Sequence, residues 1–460
     1  METNLRFVEA LKNVDRTKFQ PVIPDIKCFS PKDGDLMHGR NPVDIARCLE
    51  RAKAPVLSVV TEEKEFHGSM DILREICASV TVPVLRKDFI ETGKDIEETK
   101  AAGASAILLM YSCLGKEKLH ELYKIAIELG VTPFVETHNK EELIWAAELN
   151  APIIGINNRN ILELERDNGD FNTSKNLLSY APEGSLVISE SSIKNGVEVR
   201  DVIKNGAFGA LVGTALLNAP DLEKAYRAIS RSTGIKLCGI MNPEDYRLVE
   251  DYYVDIAGVV VDYPVNVPWN LELERAKEIF QSARSPYTKN VVVTGGSLRK
   301  VMNIANELKT DYIQIHYTET FKETDAIAEE LKKIGVQAIR SIPLNPKSRR
   351  EMFGTSDIQR IAKMLEESNV QGILFDSREA GNAAESGINI SEADIASLLK
   401  GIAADSRKPV LIGGGITEDN VSDIVGNIAP DYIDIMSGSE DEPGKKSEAK
   451  IKALVSAVTF

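Results

Sequence analysis

From Pro21 to Thr214 the chain repeats one pattern eight times. A short, nearly continuous apolar run is followed by a longer stretch whose apolar residues recur three and four positions apart. The apolar runs are Pro21–Lys27, Pro55–Thr61, Val82–Phe89, Ala104–Tyr111, Thr132–His138, Ile153–Asn157, Leu186–Glu190 and Ala210–Thr214. Runs apolar on both faces predict strands of a parallel sheet covered on both sides. Helical spacing falls at Leu5–Lys12, Pro42–Ala54, Lys116–Leu129 and Lys140–Asn150. Eight such strands alternating with helices predict a closed (β/α)8 barrel. An open doubly wound sheet is the weaker reading, because no G-x-G-x-x-G follows the first strand.

The pattern then restarts. Its second set of apolar runs is Ile235–Met241, Gly258–Asp262, Asn290–Thr294, Tyr312–His316, Gln337–Ile342, Gly372–Asp376, Pro409–Gly413 and Tyr432–Met436. Helical spacing recurs at Asn242–Tyr252 and Leu298–Leu308. The fold class predicted is α/β, two consecutive TIM barrels, at residues 1–230 and 235–460. No long Pro- or Ser-rich linker separates them.

In such a barrel the C-terminal strand ends carry the chemistry. In the first half these ends supply Asp25, Lys27, Lys87, Glu136, Asn157, Arg159, Glu190 and Ser191. One polar residue past a strand end is usually a solvated loop residue. Recurrence at the same end of five strands is harder to read as surface. Lysines and carboxylates around one cavity support acid–base chemistry, since each keeps the other charged. Gly206, Gly209 and Gly213 suggest a phosphate cradle after the last two strands. In the second half the strand ends supply Cys238, His316 and Asp376, with Gly413-Gly414-Gly415 and Ser437-Gly438 as a second phosphate cradle. Cys238 alone would ordinarily be a buried structural thiol. With Asp376, expected across the barrel mouth, it would make a base–acid pair suited to isomerisation.

Composition narrows the partners. The chain has 460 residues and a formal net charge of −15, which disfavours nucleic acid as a partner. Local cations and backbone N–H groups can still hold a small anion. Five cysteines without C-x-x-C spacing argue against a zinc site or a disulfide framework and suit the cytoplasm. No stretch is long and apolar enough to suggest a membrane span. The expectation is a cytoplasmic chain, monomeric, with small phosphorylated substrates and neither nucleic acid nor membrane as partner.

Five motifs in order, Asp25-Ile-Lys27-Cys-Phe-Ser30-Pro31, Pro83-Val-Leu-Arg-Lys87-Asp-Phe89, Phe134-Val-Glu136-Thr-His138, Ile154-Gly-Ile-Asn157-Asn-Arg159-Asn160 and Ile188-Ser-Glu190-Ser191, resemble those of indole-3-glycerol-phosphate synthase. That family converts 1-(2-carboxyphenylamino)-1-deoxyribulose 5-phosphate to indole-3-glycerol phosphate, releasing CO2 and water. The resemblance implies Lys87 as general acid, with Glu136 and Lys27 assisting the proton transfers and Asp25 in the catalytic set. It implies Asn157, Glu190, Ser191 and Phe89 around the substrate, Arg159 near the anthranilate carboxylate, and Ser30, Gly213 and Thr214 at the phosphate. Asp25 stands where the family usually has Glu, and Ser192 where Gly is usual.

Lys236-Leu-Cys238-Gly239-Ile240, Ile315-His316, Leu374-Phe-Asp376-Ser377, Gly413-Gly414-Gly415-Ile-Thr417 and Asp434-Ile-Met-Ser437-Gly438 resemble phosphoribosylanthranilate isomerase. This implies Cys238 as general base and Asp376 as general acid of an Amadori rearrangement. It also implies His316 at the substrate, and Gly414, Gly415, Ser437 and Gly438 at its phosphate. Two departures stand out. The stretch Pro264–Asn270 lacks the arginine usual after the second strand, and the usual Gly-Gly-Thr-Gly is reduced to Glu385-Ser386-Gly387. Taken together, the halves imply a bifunctional tryptophan-biosynthesis enzyme needing no cofactor. Two alternatives stay open: a non-catalytic second barrel that docks on the first, or an isomerase for another phosphoribosyl amine.

Overall fold

The computed structural model describes residues 5–159, 169–283, 285–378 and 389–459. Asn160 and the Glu385-Ser386-Gly387 stretch lie outside them. The chain divides into two compact units, Met1–Ser230 and Arg231–Phe460.

The first unit is a closed barrel of eight parallel strands: Val22–Ile26, Leu57–Val60, Val84–Lys87, Ala106–Met110, Thr132–Thr137, Ile153–Asn157, Leu186–Glu190 and Gly209–Val212. Neighbours pair in chain order. The first strand closes on the last, with Val22 opposite Ala210, and its other edge sets Asp25 opposite Ser58. Every one of these strand residues except Lys87 is buried, as double-sided covering requires. Ile23, Leu85, Leu108, Phe134, Ile188 and Leu211 form one core with Phe7, Val8 and Leu11 of the N-terminal helix Arg6–Lys12.

The helices start where the sequence supplies caps. Asn41 accepts from the Val43 N–H with Pro42 just inside, and Thr92 and Asp95 form a reciprocal capping box. These caps end the loops that carry the strand-end chemistry. The helix expected from Lys116 is preceded by helical residues from Tyr111, but Gly115 at φ 67° breaks the two apart.

The second unit has eight parallel strands as well: Gly234–Leu237, Ile256–Val261, Lys289–Thr294, Tyr312–Ile315, Gln337–Pro343, Gly372–Asp376, Val410–Gly413 and Tyr432–Ile435. Gly234 opposite Tyr432 and Lys236 opposite Ile256 close the ring. A short strand, Asn270–Leu271, adds to the end of the second, with Asn270 opposite Val260. The buried Arg231 guanidinium meets Asp255 at 2.6 Å, and the same carboxylate accepts from the Ile235 N–H, fixing where the first strand begins. A charge buried this deep is tolerable only because it is paired and hydrogen-bonded.

Candidate active sites

In the first barrel the strand-end residues converge. The Lys87 ammonium lies 3.0 Å from Glu190 Oε2. Asn157 Nδ2 donates to Glu136 Oε1 at 3.2 Å, and Ser58 Oγ donates to Asp25 Oδ1 at 2.6 Å. Asp25, Lys27, Lys87 and Phe89 line one pocket with Phe66, Glu62 and Met110. Lys27 Nζ stands 5.9 Å from the centre of the Phe66 ring. Arg159 is aimed by its own backbone, whose N–H donates to Asn157 Oδ1, while its Nε donates to Ser192 Oγ at 3.3 Å.

The electrostatics follow from this crowding. Burial pulls the Lys87 pKa down, but the negative charges of Glu190, Asp25 and Glu136 outweigh it and hold the ammonium above the usual lysine range. Burial pushes Glu190 up to about 7, against the pull of Lys87. One oxygen each of Glu190 and Glu136 is buried without a protein hydrogen-bond partner. The site thus holds a proton donor amid carboxylates that still have acceptor capacity.

His138 stands two residues beyond Glu136, just past the end of the fifth strand. Its Nε2 is 3.4 Å from Glu136 and its Nδ1 3.5 Å from Glu142. Burial opposes its protonation, but Glu142 as hydrogen-bond acceptor and the carboxylate charges of Glu136, Glu142 and Glu190 raise its pKa.

The glycines expected at a phosphate cradle do not all lie at the barrel mouth. Gly213 follows the last strand, and Thr214 begins a short helical turn there. Gly206 and Gly209 sit at the opposite, N-terminal end of that strand. Gly206 follows the helix Gly196–Lys204, and a Cβ on Gly209 would meet Pro21 O at 2.3 Å. Their glycine content serves a turn and a close backbone approach, away from the mouth. Ser30 belongs to a two-residue hairpin strand just past the first barrel strand, and its hydroxyl bonds Asp33. Ser191 and Ser192 both adopt left-handed backbone, φ 66° and 63°, immediately after the seventh strand. Such strain in a non-glycine pair is typical of a site whose loop direction matters.

In the second barrel one pocket gathers Cys238, His316, Asp376, Gly414, Gly415 and Ser437. Gly438 does not line it; a Cβ there would meet Ile416 O at 1.9 Å, so it lets the two glycine loops touch. A Cβ on Gly414, at φ 95°, would collide with Ser377 Oγ at 1.9 Å. The walls are apolar: Val260, Val267, Val293, Tyr263 and Trp269. Burial raises the Cys238 thiol above its ordinary range, with the Lys236 charge pulling it back. Burial raises Asp376 as well, although it accepts from the Arg378 N–H at 2.9 Å. His316 is pushed down to about 3 by burial. Its 3.7 Å approach to Asp376 is therefore a contact of a neutral imidazole, not an ion pair.

Four residues of this site were not foreseen. Lys236, fully buried, pairs at 2.6 Å with Asp434, which also lines the pocket. A lysine two positions before Cys238, inside an apolar strand, shares its face by the two-residue period, and that signal was available. Trp269 and Arg378 come from loops that carried no periodic pattern. The Arg378 guanidinium lies 5.1 Å from the centre of the Trp269 ring.

Each half of the chain is similar to known proteins. The family model for indole-3-glycerol phosphate synthase matches residues 1–229, and that for N-(5'phosphoribosyl)anthranilate (PRA) isomerase matches residues 235–457. The indole-3-glycerol phosphate synthase of Thermococcus kodakarensis is 42% identical over 208 residues, 45% of this chain and 91% of that protein. The tryptophan biosynthesis protein TrpCF of Yersinia pestis is 29% identical over 455 residues, 98% of this chain and 86% of that protein. A crystal structure of phosphoribosyl anthranilate isomerase from Thermotoga maritima is 23% identical, covering 49% of this chain and 98% of that one, with a TM-score of 0.40.

Proposed function

The chain belongs to the indole-3-glycerol phosphate synthase family through residues 1–229 and to the N-(5'-phosphoribosyl)anthranilate isomerase family through residues 235–457, and we infer that it performs both reactions in turn. The second barrel isomerises N-(5-phosphoribosyl)anthranilate to 1-(2-carboxyphenylamino)-1-deoxyribulose 5-phosphate. The first barrel converts that product to indole-3-glycerol phosphate, releasing CO2 and water. The observation that carries the reading is the pairing of two complete acid–base sets, one per barrel, with a bifunctional relative spanning 98% of the chain.

In the synthase step the ring carbon bearing the carboxylate attacks the ketone carbon. We assign Lys87 as the donor that protonates the ketone oxygen as the C–C bond forms. Its pKa is held high by the surrounding carboxylates, so the ammonium form is ensured at neutral pH. The C–CO2 bond then breaks, and Glu136 and Lys27 move the protons that let hydroxide leave as water. Asp25 completes this charged set. Asn157 and His138 position Glu136, and Glu190 anchors Lys87. Phe89, Ser191 and Arg159 hold the substrate body, while Ser30, Gly213 and Thr214 take the phosphate.

In the isomerase step Asp376 protonates the ribose ring oxygen, opening the ring to an iminium. Cys238 as thiolate removes the C2′ proton, and the enol relaxes to the ketone. His316, neutral, faces the ribose. Gly414, Gly415 and Ser437 offer donors to the phosphate, with Gly438 shaping their loop. Burial favours a protonated Asp376 but disfavours a Cys238 thiolate, so the active form is a minority state that Lys236 makes accessible. The same reading places the chain in the cytoplasm as a monomer acting on small phosphorylated molecules.

The test is direct. Purified full-length protein given N-(5-phosphoribosyl)anthranilate should release one CO2 per indole-3-glycerol phosphate formed. Product that stops at the deoxyribulose phosphate would remove the first assignment, and unchanged substrate the second.

A further inference from the structure

The isomerase substrate is an anion at both ends, with a phosphate on the ribose and a carboxylate on the aromatic ring. The backbone donors of the two glycine loops suit the phosphate. The carboxylate must enter a pocket that already contains Asp376 and Asp434, between apolar walls. A second anion placed there without a cation is strongly disfavoured.

Among the described residues that line the pocket, one is a cation, Arg378. The loop after the second strand contributes Trp269 to the wall, and the stretch Pro264–Asn270 has no Lys, Arg or His. Residues 379–388 carry none either. The position of Arg378 is set from both sides. Its backbone N–H is tied to Asp376 Oδ1, and its guanidinium is 5.1 Å from the Trp269 ring centre. Its Nη2 donates to Ser437 Oγ at 3.2 Å, and its Nη1 faces Met436 Sδ at 3.7 Å. These guanidinium partners are a hydroxyl and a thioether, weak acceptors that a carboxylate outcompetes through a charge-assisted fork. The wall of Val260, Val267, Val293 and Trp269 is apolar, and an aryl ring seated on it beside Trp269 would bring its ortho carboxylate near the guanidinium.

We propose that Arg378 receives the substrate's aryl carboxylate and so selects anthranilate-type amines over aryl amines that lack the carboxyl group. This rests on the isomerase reading above. It makes the loop after the sixth strand, rather than the second, the source of the carboxylate contact.

The experiment compares full-length wild type, Arg378→Ala and Arg378→Lys on N-(5-phosphoribosyl)anthranilate and on N-(5-phosphoribosyl)aniline, which keeps the phosphate and loses the carboxylate. Wild type should prefer the anthranilate by about tenfold or more in kcat/KM, the scale of one charge-assisted contact. Arg378→Ala should lose that preference by raising KM about tenfold more for the anthranilate than for the aniline, and Arg378→Lys should restore part of it. A preference that survives in Arg378→Ala overturns the proposal. So does an equal rise in KM for both substrates, which would assign Arg378 to the phosphate. Wild type that isomerises neither compound would instead remove the isomerase reading, and this proposal with it.

Discussion

At the scale of single residues, both sites work by burying charge in company. Lys87 and Glu190 are the clearest case: each shifts the other's proton affinity, and both are buried or nearly so. Replacing Lys87 with Met should lower indole formation by roughly three orders of magnitude, since it removes the proposed general acid, whose charge would also stabilise the developing alkoxide. Glu190 gives a pH signature. Its pKa in the folded chain, about 7, lies above its ordinary value near 4.5. Between those limits the folded form binds more protons than the unfolded one, so this group's contribution to stability is full below about pH 4.5 and declines as pH rises towards 7. The wild type minus Glu190→Gln difference in unfolding free energy should therefore fall across that window; a flat difference would contradict the assignment. In the second barrel the base must lose a proton that burial makes it keep. Isomerase kcat/KM should rise with pH through the neutral and mildly alkaline range, and Cys238→Ser should cut it by about a hundredfold or more at pH 8.

At the scale of elements, most strands lie within two residues of where the apolar runs place them, because a doubly covered strand can hardly be anything else. Ile153–Asn157 and Leu186–Glu190 match to the residue. The loops were less legible. Gly206 and Gly209 read as a phosphate cradle, yet they serve the far end of the barrel, since glycine signals tight backbone without saying what lies opposite. Trp269 and Arg378 meet only because the barrel closes, and no spacing within one loop encodes that meeting. Lys236 and Asp434, by contrast, stood in plain view as charges inside apolar strands. Gly155 shows how an element serves the site. A Cβ there would lie 1.7 Å from Glu190 Oε1 and 2.6 Å from Phe134 Cε1. Gly155→Ala should therefore displace Glu190, lowering indole formation by about tenfold or more and costing roughly 1–3 kcal/mol in unfolding free energy.

At the scale of the whole molecule, the chain is two similar scaffolds with dissimilar chemistry at corresponding strand ends. One presents a lysine among carboxylates, the other a thiol and a carboxyl between apolar walls. The net charge of −15 does not prevent either from taking a phosphorylated anion, because the local donors, not the total, set the field at each mouth. The central claim is that each barrel contains one complete active site. Complementation between two crippled chains tests it most directly. Lys87→Met alone should convert N-(5-phosphoribosyl)anthranilate to the deoxyribulose phosphate and stop there. Cys238→Ser alone should leave the substrate almost untouched. An equimolar mixture of the two, followed by indole-3-glycerol phosphate release, should recover the full sequence through diffusion of the intermediate. A mixture that stays inactive, or a Lys87→Met chain that still forms the indole, would contradict the account.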